Sequence, residues 1–158
     1  MPVFAMSEAF SAIFSPCHCA VLRKAARHVS QLYDAALSAA GLKTTQFSLL
    51  AEINRRTSRP PTMHEVARAM VMDRSTLGHN LRPLEREGFI TLRPSEQDRR
   101  SRHVQITEKG KSKLEEAAVL WRGVQARFES AFGAQPTADL RHALLTLATT
   151  DFSPESRN

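Results

Sequence analysis

Between Asp73 and Gly88 the sequence gathers side chains suited to hydrogen-bonding the edges of flat ligands: Arg74, Ser75, Thr76, His79, Asn80 and Arg82. A guanidinium matches the paired acceptors of a guanine in the major groove, a carboxamide matches the donor and acceptor of an adenine, and hydroxyls bond phosphate or base edges. Leu77, Leu81 and Leu84 recur at helical spacing, so the polar set occupies one face of a helix whose other face is buried. Gly78 adds no bulk to that helix, where a backbone can approach closely. A second basic group follows in Arg99, Arg100 and Arg102, and Asp98 stands two residues before Arg100, placed to hold its guanidinium by a charge-assisted bond. Guanidinium groups on a slender loop suit the narrow, electronegative minor groove of A·T-rich DNA.

The elements that must position these groups are legible in the same stretch. Asp73 is an N-cap and Gly88 a C′ residue for the polar helix. Pro83 either bends its axis or confines its straight part to the residues before about Leu81. Upstream, Thr62-Met63-His64-Glu65 is a capping box opening a short helix through Val66, Ala67 and Met70. Downstream, Phe89–Arg93 and His103–Thr107 alternate apolar and polar residues and flank a charged tip, which predicts a hairpin. Two short helices followed by a hairpin is the order of a winged helix-turn-helix, whose second helix enters the DNA major groove.

Longer helices surround this unit. Leu22, Ala25, Ala26, Val29, Leu32, Tyr33, Ala36, Leu37 and Ala40 form one helix face that Gly41 stops. Thr44 or Thr45 caps a helix through Phe47, Leu49, Leu50 and Ile53. Thr107 caps another with the stripe Leu114, Ala117, Ala118, Trp121, Val124, Phe128 and Phe132, and Pro136-Thr137 opens a last helix through Leu140, Leu144 and Leu147. These faces offer more apolar surface than one small winged helix covers, which implies a second copy of the chain. The fold class is therefore mainly α with a small β-hairpin wing (α+β).

The chain has 158 residues, net charge +6 and 42% hydrophobic content, an ordinary globular balance that excludes collagenous and wholly disordered classes. From Arg59 to Lys113 twelve Lys and Arg face seven acids, so +5 of the +6 lies there. That concentration points to an anionic partner, double-stranded DNA. No apolar run is long enough to span a membrane, and the first sixteen residues have no basic start for a signal peptide, so the expected location is cytoplasmic and nucleoid-associated. Cys17 and Cys19 are the only cysteines and cannot build a disulfide framework.

Met72–Ile90, Asp98-Arg99-Arg100 and Ile106-Thr107-Glu108-Lys109-Gly110, in this order and spacing, resemble the recognition helix, wing and following helix of the MarR family of bacterial transcription regulators. The resemblance covers Cys17 to Thr150. It implies an N-terminal segment (1–16), a first dimerisation helix (17–41), a winged helix-turn-helix DNA-binding domain (42–110), C-terminal dimerisation helices (111–150) and a tail (151–158). Asp98 and Arg100 match the family's Asp-x-Arg pair, with Arg100 the expected minor-groove finger. The resemblance further implies an obligate homodimer on a pseudo-palindromic operator, commonly a repressor, released by a small aromatic or phenolic anion or by cysteine oxidation.

For an anionic effector, the cations and polar groups His18, Arg23, Arg27 and His28 with the walls Phe47 and Trp121 are the expected contacts. For redox sensing, Cys17 and Cys19 are the reactive groups, next to His18, Arg23 and Lys24, which favour thiolate. At i and i+2 on a helix they face different ways, so a bond across the dimer is favoured over one within the chain. Their other reading is as small apolar residues. Cys17-His18-Cys19 lacks the wider spacing of a zinc site, so no metal and no cofactor are expected. The sequence contains no Walker loop, HExxH pair or Gly-x-Ser-x-Gly elbow, so no enzyme is expected either. A non-specific architectural DNA-binding protein is the remaining alternative, because charge alone suffices for it.

Overall fold

The computed structural model describes residues 17–56, 58–96, 98 and 101–153. In chain order these form α1 (His18–Leu37), a 3-10 turn (Ser38–Ala40), α2 (Thr44–Asn54), α3 (Met63–Ala69), α4 (Arg74–Arg86), β1 (Ile90–Pro94), β2 (Arg102–Ile106), α5 (Glu108–Phe132) and α6 (Ala134–Thr149). The core is built where α2, α4 and the hairpin meet α5. Leu49, Leu50, Ile53, Leu77, Leu81, Leu84, Ile90 and Val104 are all buried there, and Leu114 and Trp121 of α5 pack against them.

Local signals set the ends of the central helices. The Thr62 hydroxyl accepts from the Glu65 amide (3.2 Å) and the Glu65 carboxylate accepts from the Thr62 amide (2.8 Å), closing the capping box of α3. The Asp73 carboxylate caps α4 by accepting from the Thr76 amide at 2.7 Å. Helix α4 runs through Pro83 to Arg86 rather than stopping near Leu81. It ends in a Schellman motif: Phe89 N–H bonds Leu84 C=O, Gly88 N–H bonds Glu85 C=O, and Gly88 takes φ 76°. The turn joining α3 to α4 repeats this bonding, with Met72 N–H on Ala67 C=O and Val71 N–H on Arg68 C=O. There the left-handed position is held by Val71, φ 51°, a strained conformation for a β-branched residue.

Several sequence expectations are corrected by a residue or two. Thr44 is the first residue of α2 and not its cap; its N–H and hydroxyl both donate to Asp34 Oδ1 of α1 at 2.7 Å. The strands lie at Ile90–Pro94 and Arg102–Ile106, paired antiparallel with Ile90 opposite Ile106 and Leu92 opposite Val104. Helix α6 begins at Ala134, ahead of Pro136, after Gly133 with φ 99°. The hairpin also has a neighbour that alternation does not reveal. Thr62 bridges His103, Val104 N–H bonds Pro61 C=O at 2.8 Å, and His103 Nδ1 lies 2.9 Å from Pro60 C=O. The segment leading into α3 is thus tied to the wing.

Beyond this core the helical surface is apolar and uncovered. Val21 and Leu22 at the start of α1, Phe132 at the end of α5 and Leu140, Leu144, Leu145 and Leu147 of α6 are all exposed. No helix among the described residues is long and apolar enough to cross a membrane.

Candidate nucleic-acid interface

Leu77, Leu81 and Leu84 anchor α4 in the core, and the remaining turns of the helix therefore point outward. Arg74, Ser75, Thr76, His79 and Arg82 are exposed and Asn80 is half-buried. The Thr76 hydroxyl donates to Asp73 Oδ2 at 2.6 Å, and Asn80 Nδ2 donates to Thr76 C=O at 2.8 Å. These bonds fix the first turn while the Asn80 Oδ1 and second N–H remain for an adenine edge. In β2, alternation puts Val104 and Ile106 into the core, and exposed Arg102 stands at the strand's start near α4. Arg74, His79, Arg82 and Arg102 line one groove between α4 and the hairpin, about 500 Å³ in volume, with Met63 and Leu92 among its apolar residues. Among the described residues, Arg68, Arg74, Arg82 and Arg102 make no ion pair. Unpaired guanidinium groups sharing a groove are suited to bind phosphate.

At the wing tip, Ser95 N–H bonds Ser101 C=O and Ser101 N–H bonds Asp98 C=O, both at 2.9 Å. Asp98 is exposed beside this turn. Arg99 and Arg100 lie outside the described residues, and with them the expected Asp98–Arg100 pairing.

The caps make the helix-turn-helix acid-sensitive. The Thr62 amide bonded to Glu65 holds that carboxyl below its usual range, and the Thr76 hydroxyl and amide do the same for Asp73. A lowered folded-state pKa stabilises the fold above the ordinary carboxylate value and is lost as pH falls through the lowered one. Thermal stability is therefore expected to fall as pH drops below about 4.5. A Glu65→Gln, Asp73→Asn variant should be less stable at pH 7 with a flatter acid limb, and an unchanged acid limb would discount the caps.

A second groove, about 420 Å³, lies between α1, α2, α5 and α6. Phe47 and Trp121 stack on its wall with ring centroids 6.0 Å apart. The expected cations are elsewhere: His18, Arg23, Arg27 and His28 are on the exposed N-terminal half of α1 and none lines the groove. Its cation is Arg141 of α6, which lies 3.5 Å from Glu129, and its wall includes Thr137, whose buried hydroxyl has no hydrogen-bond partner. Tyr33 donates its hydroxyl to Gln125 Oε1, and burial raises the Tyr33 pKa above its usual value. Sequence reasoning missed Thr137 and Arg141 because their i, i+4 spacing marks a shared face without saying what that face meets. His64 and Arg68, exposed on α3 opposite buried Val66 and Ala67, were not singled out either, although that spacing is legible in the sequence. Cys17 and Cys19 are exposed at the start of α1, Cys17 at its N-cap.

A helix-turn-helix backed by a two-stranded wing and flanked by long terminal helices defines the class, a winged helix-turn-helix protein. A family model described as MarR family matches residues 40–101. The chain is 36% identical to MosR, a transcriptional regulator of M. tuberculosis solved in complex with DNA, with a TM-score of 0.75 and coverage of 84% of this chain and 93% of that one. It is 30% identical over 110 residues to the transcriptional activatory protein BadR of Rhodopseudomonas palustris, covering 69% of this chain and 62% of that protein. The chain thus spans about three-fifths of the length of the curated relatives it matches. CouR of Rhodococcus jostii RHA1, solved bound to p-coumaroyl-CoA, shares the fold at 20% identity and a TM-score of 0.74, over 93% of this chain and 99% of that one. The chain belongs to the MarR family.

Proposed function

We propose that the protein is a homodimeric, sequence-specific DNA-binding transcription regulator whose α4 enters the major groove of each half of a pseudo-palindromic operator, with the wing in the flanking minor groove. The observation that carries this reading is the set of unpaired arginines of α4 and β2 sharing one groove. The DNA complex of MosR, 36% identical, supports it. We further assign it a repressor's mode, with release by a small aromatic anion. The groove over Phe47 and Trp121 has the apolar walls for the ring, and Arg141 and the unpartnered Thr137 hydroxyl suit the charged end.

The test is binding to the DNA upstream of its own gene against random DNA of equal length, at moderate salt, with and without small aromatic acids. A preference of roughly a thousandfold lies in the range of specific binders, and Asn80→Ala should erase it while Arg100→Ala flattens the salt slope by about one. Equal, steeply salt-dependent binding to both DNAs would leave an architectural protein. A second reading, thiol sensing, is favoured by the exposure of both Cys17 and Cys19. It predicts release by peroxide that a Cys17→Ser, Cys19→Ser double variant loses.

A further inference from the structure

Gly78 sits in the middle of α4, where glycine costs stability relative to alanine. The fold gives no reason for it. Its backbone is not among the glycines with positive φ, and a Cβ built there meets no atom within 4 Å. What Gly78 faces is the groove it shares with Arg74, Arg82 and Arg102. That groove adjoins another of about 380 Å³, which shares Met63, Arg74 and Arg102 with it and adds His64 and Arg68 from α3. Glu85 in the first and Asp98 in the second are the acidic residues lining them. The lining is therefore cationic along its length and bare of a side chain at Gly78.

Geometry supplies the occupant. A helix in the major groove and a hairpin in the adjacent minor groove are separated by one sugar-phosphate strand, and on this protein that strand has to pass between α4 and the wing. We propose that the joined grooves are the channel for this strand, with Gly78 the point of closest approach of the DNA backbone and His64 and Arg68 further phosphate contacts beyond α4. Gly78 acts by its missing volume: a methyl there would occupy the space that the ribose or phosphate needs. Arg68 acts by charge, taking the phosphate next along the strand. The inference rests on the DNA-binding reading above and adds α3 to the contact surface.

Gly78→Ala separates volume from folding. The full-length variant is expected to melt roughly 2–4 °C higher, from the helix propensity gained. Its affinity for the upstream DNA is expected to fall roughly tenfold or more, the size of an overpacked contact. Its salt slope should match wild type, because no cation has been removed. Arg68→Ala should instead lower the slope by about one while keeping the preference over random DNA. Wild-type affinity in Gly78→Ala, a lowered melting temperature, or a wild-type salt slope in Arg68→Ala each overturns the proposal. Wild-type protein that binds neither DNA would sink the DNA-binding reading itself, and equal binding to both would sink its sequence-specific part. Preference in wild type with unimpaired Gly78→Ala sinks only the strand channel.

Discussion

Alanine at Gly110 is expected to destabilise the fold by about 3 kcal/mol or more, lowering the melting temperature by roughly 10 °C. A Cβ there would lie 2.1 Å from the Phe89 carbonyl oxygen, 2.9 Å from its carbon and 2.8 Å from Ile106 Cγ1. The obstacle is backbone and cannot rotate away. That carbonyl is already held by the Thr107 amide at 3.0 Å and the Thr107 hydroxyl at 3.2 Å. The same hydroxyl donates to Gly88 C=O at 2.7 Å and accepts from the Gly110 amide at 3.0 Å, and Lys109 Nζ bonds Glu87 C=O at 2.6 Å. Relieving the clash therefore pulls apart the joint between the end of α4 and the start of α5. Helix propensity works the other way, favouring alanine by about 1 kcal/mol, so a net loss measures the close approach directly. Gly78→Ala and Gly110→Ala, both glycine replacements within helices, are expected to shift the melting temperature in opposite directions. A neutral or stabilising Gly110→Ala in urea and thermal unfolding would remove the close approach from the account.

The second large effect concerns assembly. A Leu140→Asp, Leu144→Asp variant is expected to turn the proposed dimer into monomer and to lower operator affinity on the order of a thousandfold. Leu140 and Leu144 are 37% and 42% exposed, Leu145 and Phe132 more so, and Val21 and Leu22 add to the uncovered surface at the other end of the chain. A soluble monomer rarely leaves so much apolar surface open, and in the proposed homodimer a second copy would cover it by two-fold symmetry. One winged helix holding one half-site loses the high effective concentration that the second supplies. Sedimentation of the variant beside wild type reads the assembly, and a DNA titration reads the affinity. Because the substituted leucines are exposed in the single chain, the monomer should keep its melting transition in the winged-helix core. A variant that stays dimeric and binds as wild type would place the partner on another surface.

The acid dependence of the caps and the strand channel both concern one unit, the segment from Pro60 to Gly110. That unit was also the most legible part of the sequence. The capping box at Thr62 and Glu65, the Asp73 cap, the leucine row of α4, the Gly88 terminus and the Thr107 cap are each set by residues within a few positions of one another. Hydrogen bonding and helical periodicity act over that same short range. The exposed polar face of α4 followed from the same arithmetic, since burying Leu77, Leu81 and Leu84 dictates which way Arg74 and Arg82 turn.

Contacts made across the chain were not legible in this way. Asp34 replaces the expected threonine cap of α2, Pro60–Thr62 joins the wing, and the groove over Phe47 and Trp121 takes Arg141 and Thr137 from α6 while the cations of α1 lie outside it. Each depends on where whole elements settle against one another, a balance of many weak packing contacts that no short stretch of residues carries. Residues close together in the chain set the elements, the caps of α3, α4 and α5 and the chemistry of the polar helix face. Which cations share a groove depends on how α3, α4 and the wing pack, and local periodicity is blind to that.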